Sequence, residues 1–165
     1  MARQWIEISS RVERASDERV VRPAVDGVLD AVMRLDGATY SEVSVESHSD
    51  DASYGPSMFQ FREGEWVAAV PSDRTTVEVL LVCGGPDRVN VAWIRRDDHG
   101  SWDQDFLMLS DPSRGDEPES RVCGGQAIEL PARWWVTRAE AIEAVEAFSA
   151  TFTVNDGRRW EHSLT

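Results

Sequence analysis

The sequence predicts an α+β domain: an antiparallel β-meander sheet with an N-terminal helix and a C-terminal helix packed on one face. Three observations lead to this prediction. Apolar residues recur at helical spacing in two segments, one near each end of the chain. The segments between them are short, rich in Val and Trp, and often alternate apolar with polar residues. Short turns join several of these segments, and the length of 165 residues suits a single domain over 1–165.

The N-terminal part of the chain predicts a short strand and then a helix. Residues 5–8 form the strand. Residues 23–35 form the helix, because Pro23 suits the first helical turn and Val and Leu recur at helical spacing behind it. The helix is expected to end at Asp36-Gly37.

The next segment predicts a second strand and a hairpin. Val43 and Val45 alternate with polar neighbours, so we expect one face of this strand in the core. A polar loop is expected over 48–56. Residues 58–70 then predict a hairpin whose turn is centred on Gly64.

The centre of the chain has the strongest strand signal. Residues 77–83 are β-branched and almost continuously apolar, which is typical of a central strand covered on both faces. A turn over 84–87 leads to an alternating strand over 89–94, and a turn over 97–100 leads to a third strand over 102–109. Consecutive strands joined by short turns predict an antiparallel meander.

The C-terminal third predicts a loop, a strand and a helix. Residues 111–120 contain two Pro, one Gly and four acids, so we expect a solvated loop. Residues 126–130 predict a short strand. Thr137 and Glu140 match a capping box, which begins a helix that runs to about residue 151. The apolar stripe of this helix consists of Ala141, Ile142, Val145 and Phe148.

Charge narrows the classes of partner. The chain carries 30 acidic residues against 17 basic ones, a net charge of -13, and every basic residue is Arg. Arg pairs bidentately with carboxylates and is able to hold an acidic surface together. The excess negative charge disfavours nucleic acids and anionic membranes, which present phosphates, and favours a basic protein partner.

No apolar run could span a bilayer, and the N-terminus lacks the apolar core of a secretory signal, so we expect a cytoplasmic protein. The oligomeric state stays open.

Residues suited to catalysis are few. His48, His99 and His162 have no metal-binding spacing, and motifs for zinc, phosphate, dinucleotide or serine-nucleophile sites are absent. Cys83 ends an apolar strand and is expected to be a buried small hydrophobic residue. A disulfide to Cys123 is the alternative, against which the cytoplasmic expectation argues. The sequence therefore predicts no cofactor, no metal and no enzymatic activity.

About half of the acidity is concentrated in two windows. Residues 97–119 hold eight acids against one Arg, and residues 42–65 hold six against one. One interpretation of these windows is a binding surface, because a polarised acidic surface speeds association with a basic partner. The alternative is a solvated face that only keeps the domain soluble. Trp102 favours an interface, because Trp is frequent at binding hot spots, although it could equally alternate into the core. The predicted partner-binding residues are Asp97, Asp98, Trp102, Asp103, Asp105, Asp116 and Glu117.

The C-terminal third resembles a known family. A strand ending in Glu129-Leu130-Pro131, a link through 134–136, an Ala/Glu-rich helix ending in Phe148, and Trp160-Glu161 follow one another. This order is similar to the closing element of the Imm1 family of immunity proteins from bacterial polymorphic toxin systems, and the strands over 77–109 are compatible with it. The resemblance implies a small cytoplasmic protein without enzymatic activity. Such a protein neutralises a cognate toxin, often a nucleic-acid-directed deaminase, by blocking its active site. Trp160 is expected to pack a last strand on the sheet, and no catalytic residue carries over.

An inhibitor that occludes the active site of a basic toxin is the leading hypothesis, because a toxin that binds nucleic acid needs a basic groove that an acidic protein can fill. Two other functions stay open. One is a small-molecule-binding or catalytic α+β domain with its site near Cys83 or His99. The other is an acidic chaperone or adaptor for a secreted effector.

Overall fold

The protein is described by a computed structural model over residues 3–12, 18–21, 25–50, 59–62, 65–68, 77–96, 106–151, 154 and 159–163. Within these residues it is a mostly antiparallel β-sheet with two helices, which confirms the predicted α+β class. None of the helices in the described ranges is long and apolar enough to cross a membrane.

One large antiparallel sheet dominates the described residues. In chain order the elements are β1 (Arg3–Val12), β2 (Glu18–Val21), α1 (Val25–Met33), β3 (Tyr40–Asp50), β4 (Phe59–Arg62), β5 (Glu65–Ala68), β6 (Val77–Gly84), β7 (Arg88–Arg96), β8 (Leu107–Leu109), β9 (Pro118–Cys123), β10 (Gln126–Pro131), a 3₁₀ turn (Ala132–Trp134), β11 (Val136–Thr137), α2 (Arg138–Thr151) and β12 (Trp160–His162). The large sheet has the order β12-β8-β7-β6-β3-β1-β2, and β11 also pairs with β7. The β4–β5 and β9–β10 pairs are separate two-stranded hairpins.

The predicted meander is confirmed. β6, β7 and β8 pair antiparallel in chain order, with Val82 opposite Val91 and Trp93 opposite Leu107. The turn between β6 and β7 packs closely on the end of α1: a Cβ on Gly85 would lie 2.8 Å from the carbonyl oxygen of Leu35. Gly85 also has a φ of 104°, so this turn requires glycine there.

Several boundaries differ from the sequence prediction. β3 continues to Asp50, because β1 pairs along it, so the predicted loop over 48–56 begins as strand. The predicted loop over 111–120 ends where β9 begins at Pro118. Three strands were not predicted: β2, β9 and β11. Each is short or polar, and only its hydrogen bonds to a neighbouring strand identify it as a strand. The 58–70 hairpin is confirmed as β4 and β5, although its turn residue Gly64 lies outside the described residues.

Both helices share one buried cluster with the sheet, here called the helix core. Its members are Ala31, Val32, Leu35, Val43, Val45, Leu80, Val82, Val89, Val91, Leu109, Val136, Ala141, Val145 and Phe148. The predicted apolar faces of β3 and α2 are therefore confirmed, and Ile142 is only partly buried against the cluster. Trp160 of β12 also packs against it, as predicted.

The capping box at the start of α2 is confirmed. The Thr137 hydroxyl accepts the N–H of Glu140 at 3.2 Å, and the Glu140 carboxylate accepts the N–H of Thr137 at 2.8 Å. Arg138 donates to the carbonyls of Met33 and Leu35 at 2.8 and 2.5 Å, where α1 ends. Carbonyls at a helix C-terminus lack helical partners and carry partial negative charge, so this guanidinium joins the two helices.

A second region, here called the hairpin side, consists of the β9–β10 hairpin, the 3₁₀ turn and the small clusters beneath them. Cys83, Cys123 and Trp135 form one cluster, and Ala92, Met108 and Trp134 form the other. Val82 lies in the helix core whereas its neighbour Cys83 lies on the hairpin side. Successive residues of a strand point to opposite faces, so β6 is covered on both faces as predicted.

Candidate partner-binding surface

The predicted partner-binding residues fall into two groups. Asp97, Asp98, Trp102, Asp103 and Asp105 lie outside the described residues, as does His99. Asp116 and Glu117 lie between β8 and β9, and both are exposed. These two acids directly precede the β9–β10 hairpin, so the loop 110–117 and this hairpin form the part of the surface that is described.

The loop 110–117 is bound to the 3₁₀ turn by backbone hydrogen bonds. The N–H of Asp111 donates to the carbonyl of Arg133 at 2.7 Å, and the N–H of Arg133 donates to the carbonyl of Gly115 at 2.9 Å. The N–H of Ala132 donates to the carbonyl of Glu117 at 2.8 Å. The two exposed acids are therefore presented from a loop with a defined backbone position.

Two arginines fasten the hairpin to the segments beside it. Arg114 donates to the carbonyl of Trp135 at 2.8 Å and pairs with the carboxylate of Glu119 at 2.5 Å. Arg121 pairs with Asp87 at 2.7 Å and more loosely with Glu119 at 3.4 Å, and its guanidinium lies 5.6 Å from the Trp135 ring centre. Glu119 is thus shared by both cations, with one arginine on each carboxylate oxygen.

Glu161 on β12 is the centre of a second polar group. Its carboxylate accepts hydrogen bonds from the Ser110 hydroxyl at 3.0 Å and from Trp134 Nε1 and Arg133 Nε at 2.8 Å each. Burial acts to raise the pKa of Glu161, but the bonds from Arg133, Trp134 and Ser110 outweigh it and hold the pKa below its ordinary value. Arg133 also pairs with the exposed Asp116, so this group extends to the surface.

Arginines and carboxylates are distributed differently between interior and surface. Half-buried guanidinium groups that contact carboxylates or backbone carbonyls belong to Arg88, Arg114, Arg121, Arg133, Arg138 and Arg159. By contrast, five exposed carboxylates, those of Asp30, Asp36, Glu117, Glu129 and Glu146, have no ion pair within the described ranges. The arginines hold part of the acidic surface together, as predicted, and the unpaired charge that remains on these carboxylates faces the solvent.

Cys83 and Cys123 form a disulfide, so the expectation of a buried unpaired Cys83 is wrong. Their Cα atoms are 5.0 Å apart and each residue is 3% exposed. The pairing depends on the hairpin folding back over β6, which no local pattern in the sequence predicts. A sulfur in a disulfide is not a thiolate nucleophile, so Cys83 cannot act as a nucleophile while this bond is formed.

Metal ligation was expected to be absent. No group of three or more His, Cys, Asp or Glu residues is arranged to hold a metal ion in the part of the chain that the structure describes. The turn with Asp97, Asp98 and His99 lies outside that part.

Sequence reasoning predicted the strand over 126–130 but not its pairing with β9, although a signal for the hairpin exists. Gly124-Gly125 separates two segments that contain β-branched residues, and a Gly pair is a signature of a two-residue hairpin turn. Both glycines have positive φ, 58° and 80°, as such a turn requires. The ion pair of Arg121 with Asp87 had no comparable signal, because the two residues lie 34 positions apart in the chain.

No protein-family model matches this chain, and no curated protein or solved structure matches it either.

Proposed function

We propose that this protein is an immunity protein of the Imm1 type, which binds a cognate bacterial toxin and neutralises it by covering the toxin's active site. The toxin would act on nucleic acid, for example as a deaminase, and would therefore present a basic substrate groove. The observation that supports this proposal most directly is the unequal distribution of charge. Six half-buried arginines contact carboxylates or backbone carbonyls, while several exposed carboxylates remain unpaired within the described ranges.

Charge would act mainly on the rate of association and on partner choice. A protein with a net charge of -13 attracts a basic groove over several ångströms and repels acidic proteins. This attraction is screened by salt over a Debye length of about 8 Å at physiological ionic strength. The residues proposed to contact the toxin are Asp97, Asp98, Trp102, Asp103, Asp105, Asp116 and Glu117.

We also place both helices on one face of the sheet, because their buried residues share the helix core with Leu80, Val82 and Val91. The toxin would then approach from the hairpin side, where Asp116 and Glu117 are exposed. The helices would support the sheet from behind without touching the toxin.

We propose the cytoplasm as the place of action, where disulfides are uncommon. The Cys83–Cys123 bond is buried, and poor access slows attack by thiol reductants. Alkylation of acid-quenched cells would test this. We expect both cysteines to escape modification unless the protein is first reduced, and rapid labelling without reduction would mean that the bond does not persist in that compartment.

The test of the proposed function is growth rescue together with binding. The toxin is sought in the gene directly upstream, and its C-terminal domain is expressed with and without this protein. We expect rescue of growth and a stoichiometric complex. A stable complex without loss of toxicity would instead indicate an adaptor, and the absence of any complex would overturn the proposal.

Charge-reversal variants then test the surface. The Glu117→Lys variant changes an exposed, unpaired acid on the hairpin side, and Glu146→Lys changes an exposed, unpaired acid on α2 by the same amount. We expect the first to weaken toxin binding about tenfold or more and the second by less than about threefold, since only the first places a cation against the basic groove. The variant with Asp97, Asp98, Asp103 and Asp105 all changed to Lys should weaken binding further without unfolding. Equal effects of the two matched variants would contradict the proposed orientation.

A further inference from the structure

We infer that the free edge of β10 is a docking site for an extended segment of the toxin, which adds to the β9–β10 hairpin as a third strand. This inference rests on the proposed function and specifies how the toxin is held. It depends on three observations: the hydrogen-bonding pattern of the hairpin, the exposure of β10, and the charge beside it.

The register shows which backbone groups of β10 point away from β9. Pro118 lies opposite Pro131, and neither residue has an N–H, so this is a pair without mutual hydrogen bonds. Such pairs alternate with hydrogen-bonded ones along an antiparallel ladder. Ala127 and Glu129 occupy the equivalent positions, and their N–H and C=O groups therefore point to the outer edge of β10.

The outer edge of β10 is accessible. β10 pairs only with β9 in the described sheets, and neither Ala127 nor Glu129 has a hydrogen-bond partner at that edge within the described ranges. All four residues from Gln126 to Glu129 are exposed, including the apolar Ile128 at 37%. An exposed strand edge with unpaired backbone groups is a template for another strand. Pro131, which has no N–H, limits the added strand to the region around Ala127 and Glu129.

The side chains of β10 indicate the chemistry of the segment that would bind. Ile128 and Glu129 point to opposite faces of the hairpin, because successive residues alternate. An added strand would place its own alternate residues beside them on each face, and opposite charges or apolar pairs are favourable at such positions. The segment is therefore expected to alternate Lys or Arg with apolar residues. A second copy of this chain fits less well, because it would bring another net charge of -13 to the same edge.

The test is the substitution Ala127→Pro, measured for affinity to a catalytically inactive form of the toxin domain encoded upstream. Proline removes the outward N–H of Ala127, and that N–H makes no bond within the hairpin. The matched control is Ser120→Pro on β9. Ser120 lies opposite Glu129 at the same kind of position, but its N–H points away from β10. We expect Ala127→Pro to weaken binding about tenfold or more, and Ser120→Pro by less than about twofold.

Amide hydrogen exchange of the wild-type protein gives a second measurement that does not depend on a variant folding. The amides of Ala127 and Glu129 should exchange rapidly in the free protein and slowly in the complex. The amide of Ile128, which faces Arg121 of β9 in a hydrogen-bonded pair, should be protected in both and serves as an internal reference.

The outcomes separate the two proposals. If the wild-type protein binds and inhibits the toxin but the Ala127 and Glu129 amides stay unprotected, or folded Ala127→Pro binds as the wild type does, the edge-strand inference is overturned and the proposed function stands. If the wild-type protein does not bind the toxin, both are overturned. Protection of these amides in the free protein that rises with protein concentration would assign the edge to a second copy and overturn the inference.

Discussion

The helix core and the hairpin side cover β6 and β7 by different physical means. The helix core is one large cluster of aliphatic and aromatic residues, in which Val82, Val145 and Phe148 are fully buried. The hairpin side has two small clusters, supplemented by a disulfide and by the directional bonds of Arg114 and Arg121.

The two regions therefore have different roles. The helix core stabilises the fold, and the hairpin side holds a surface in a fixed arrangement. Burial of apolar area is non-directional and tolerates adjustment, so the helix core supplies folding energy without fixing surface geometry closely. Hydrogen bonds and a covalent link depend on geometry, so the hairpin side holds β9–β10 and the exposed acids before it in one arrangement. A surface that must match a partner benefits from this second kind of support.

The largest expected effect lies in the helix core. Phe148→Ala should lower the free energy of unfolding by about 3–5 kcal/mol, because it removes a fully buried aromatic side chain and leaves a cavity. Urea denaturation measures this, and Glu146→Ala on the exposed face of the same helix is the control, with an expected change within about 0.5 kcal/mol. A loss below about 1 kcal/mol for Phe148→Ala would show that the helix core is not where stability resides.

Removal of the disulfide should have the next largest effect. The bond joins residues separated by 40 positions, and a closed loop of that size corresponds to about 4 kcal/mol on the chain-entropy model. We expect the Cys83→Ala/Cys123→Ala variant to lose about 2–4 kcal/mol. Hydrogen exchange should also show selective loosening of β9 and β10, while the amides of α2 keep their protection until global unfolding. Uniform loosening of both regions would contradict the comparison.

A smaller effect is expected at Glu161. Glu161→Gln should cost about 1–2 kcal/mol, since it weakens charge-assisted bonds from Arg133 and Trp134 that are partly open to solvent. The folded-state pKa of Glu161 is lowered, so its stabilisation is fully present above the ordinary pKa of a glutamate. It is lost as the pH falls through the folded pKa. Thermal unfolding from pH 7 down to pH 3 should therefore narrow the gap between wild type and variant, and a gap that widens on acidification would contradict this assignment.

Much of the secondary structure follows from local signals. The capping box of Thr137 and Glu140 begins α2 as expected, and the spacing of Val43 and Val45 places them in the core. These signals are local because a helix cap involves neighbours three residues apart and strand alternation involves neighbours two residues apart. β2 and β9 were not predicted, since β2 has four residues and β9 begins with Pro118 and three polar residues that show no apolar alternation.

The candidate surface was predictable only in part. Asp116 and Glu117 were selected for their charge, and both are exposed, but the free edge at Ala127 and Glu129 carries no compositional signal. Its accessibility depends on β10 being the outer strand of a hairpin that pairs with no other strand in the described sheets. That is a property of the assembled fold and not of the six residues themselves.

The sequence by itself determined the α+β class, the order of the meander, both helices and the excess of acidic charge, because periodicity, caps and net charge depend on neighbours or on sums. Tertiary structure alone decided which cysteines pair, which carboxylates the arginines neutralise, and which strand edge stays open. The disulfide of Cys83 with Cys123 and the ion pair of Arg121 with Asp87 join residues far apart in the chain. Contacts of that kind form only once the chain has folded, at an entropic cost of ordering that local patterns do not reveal.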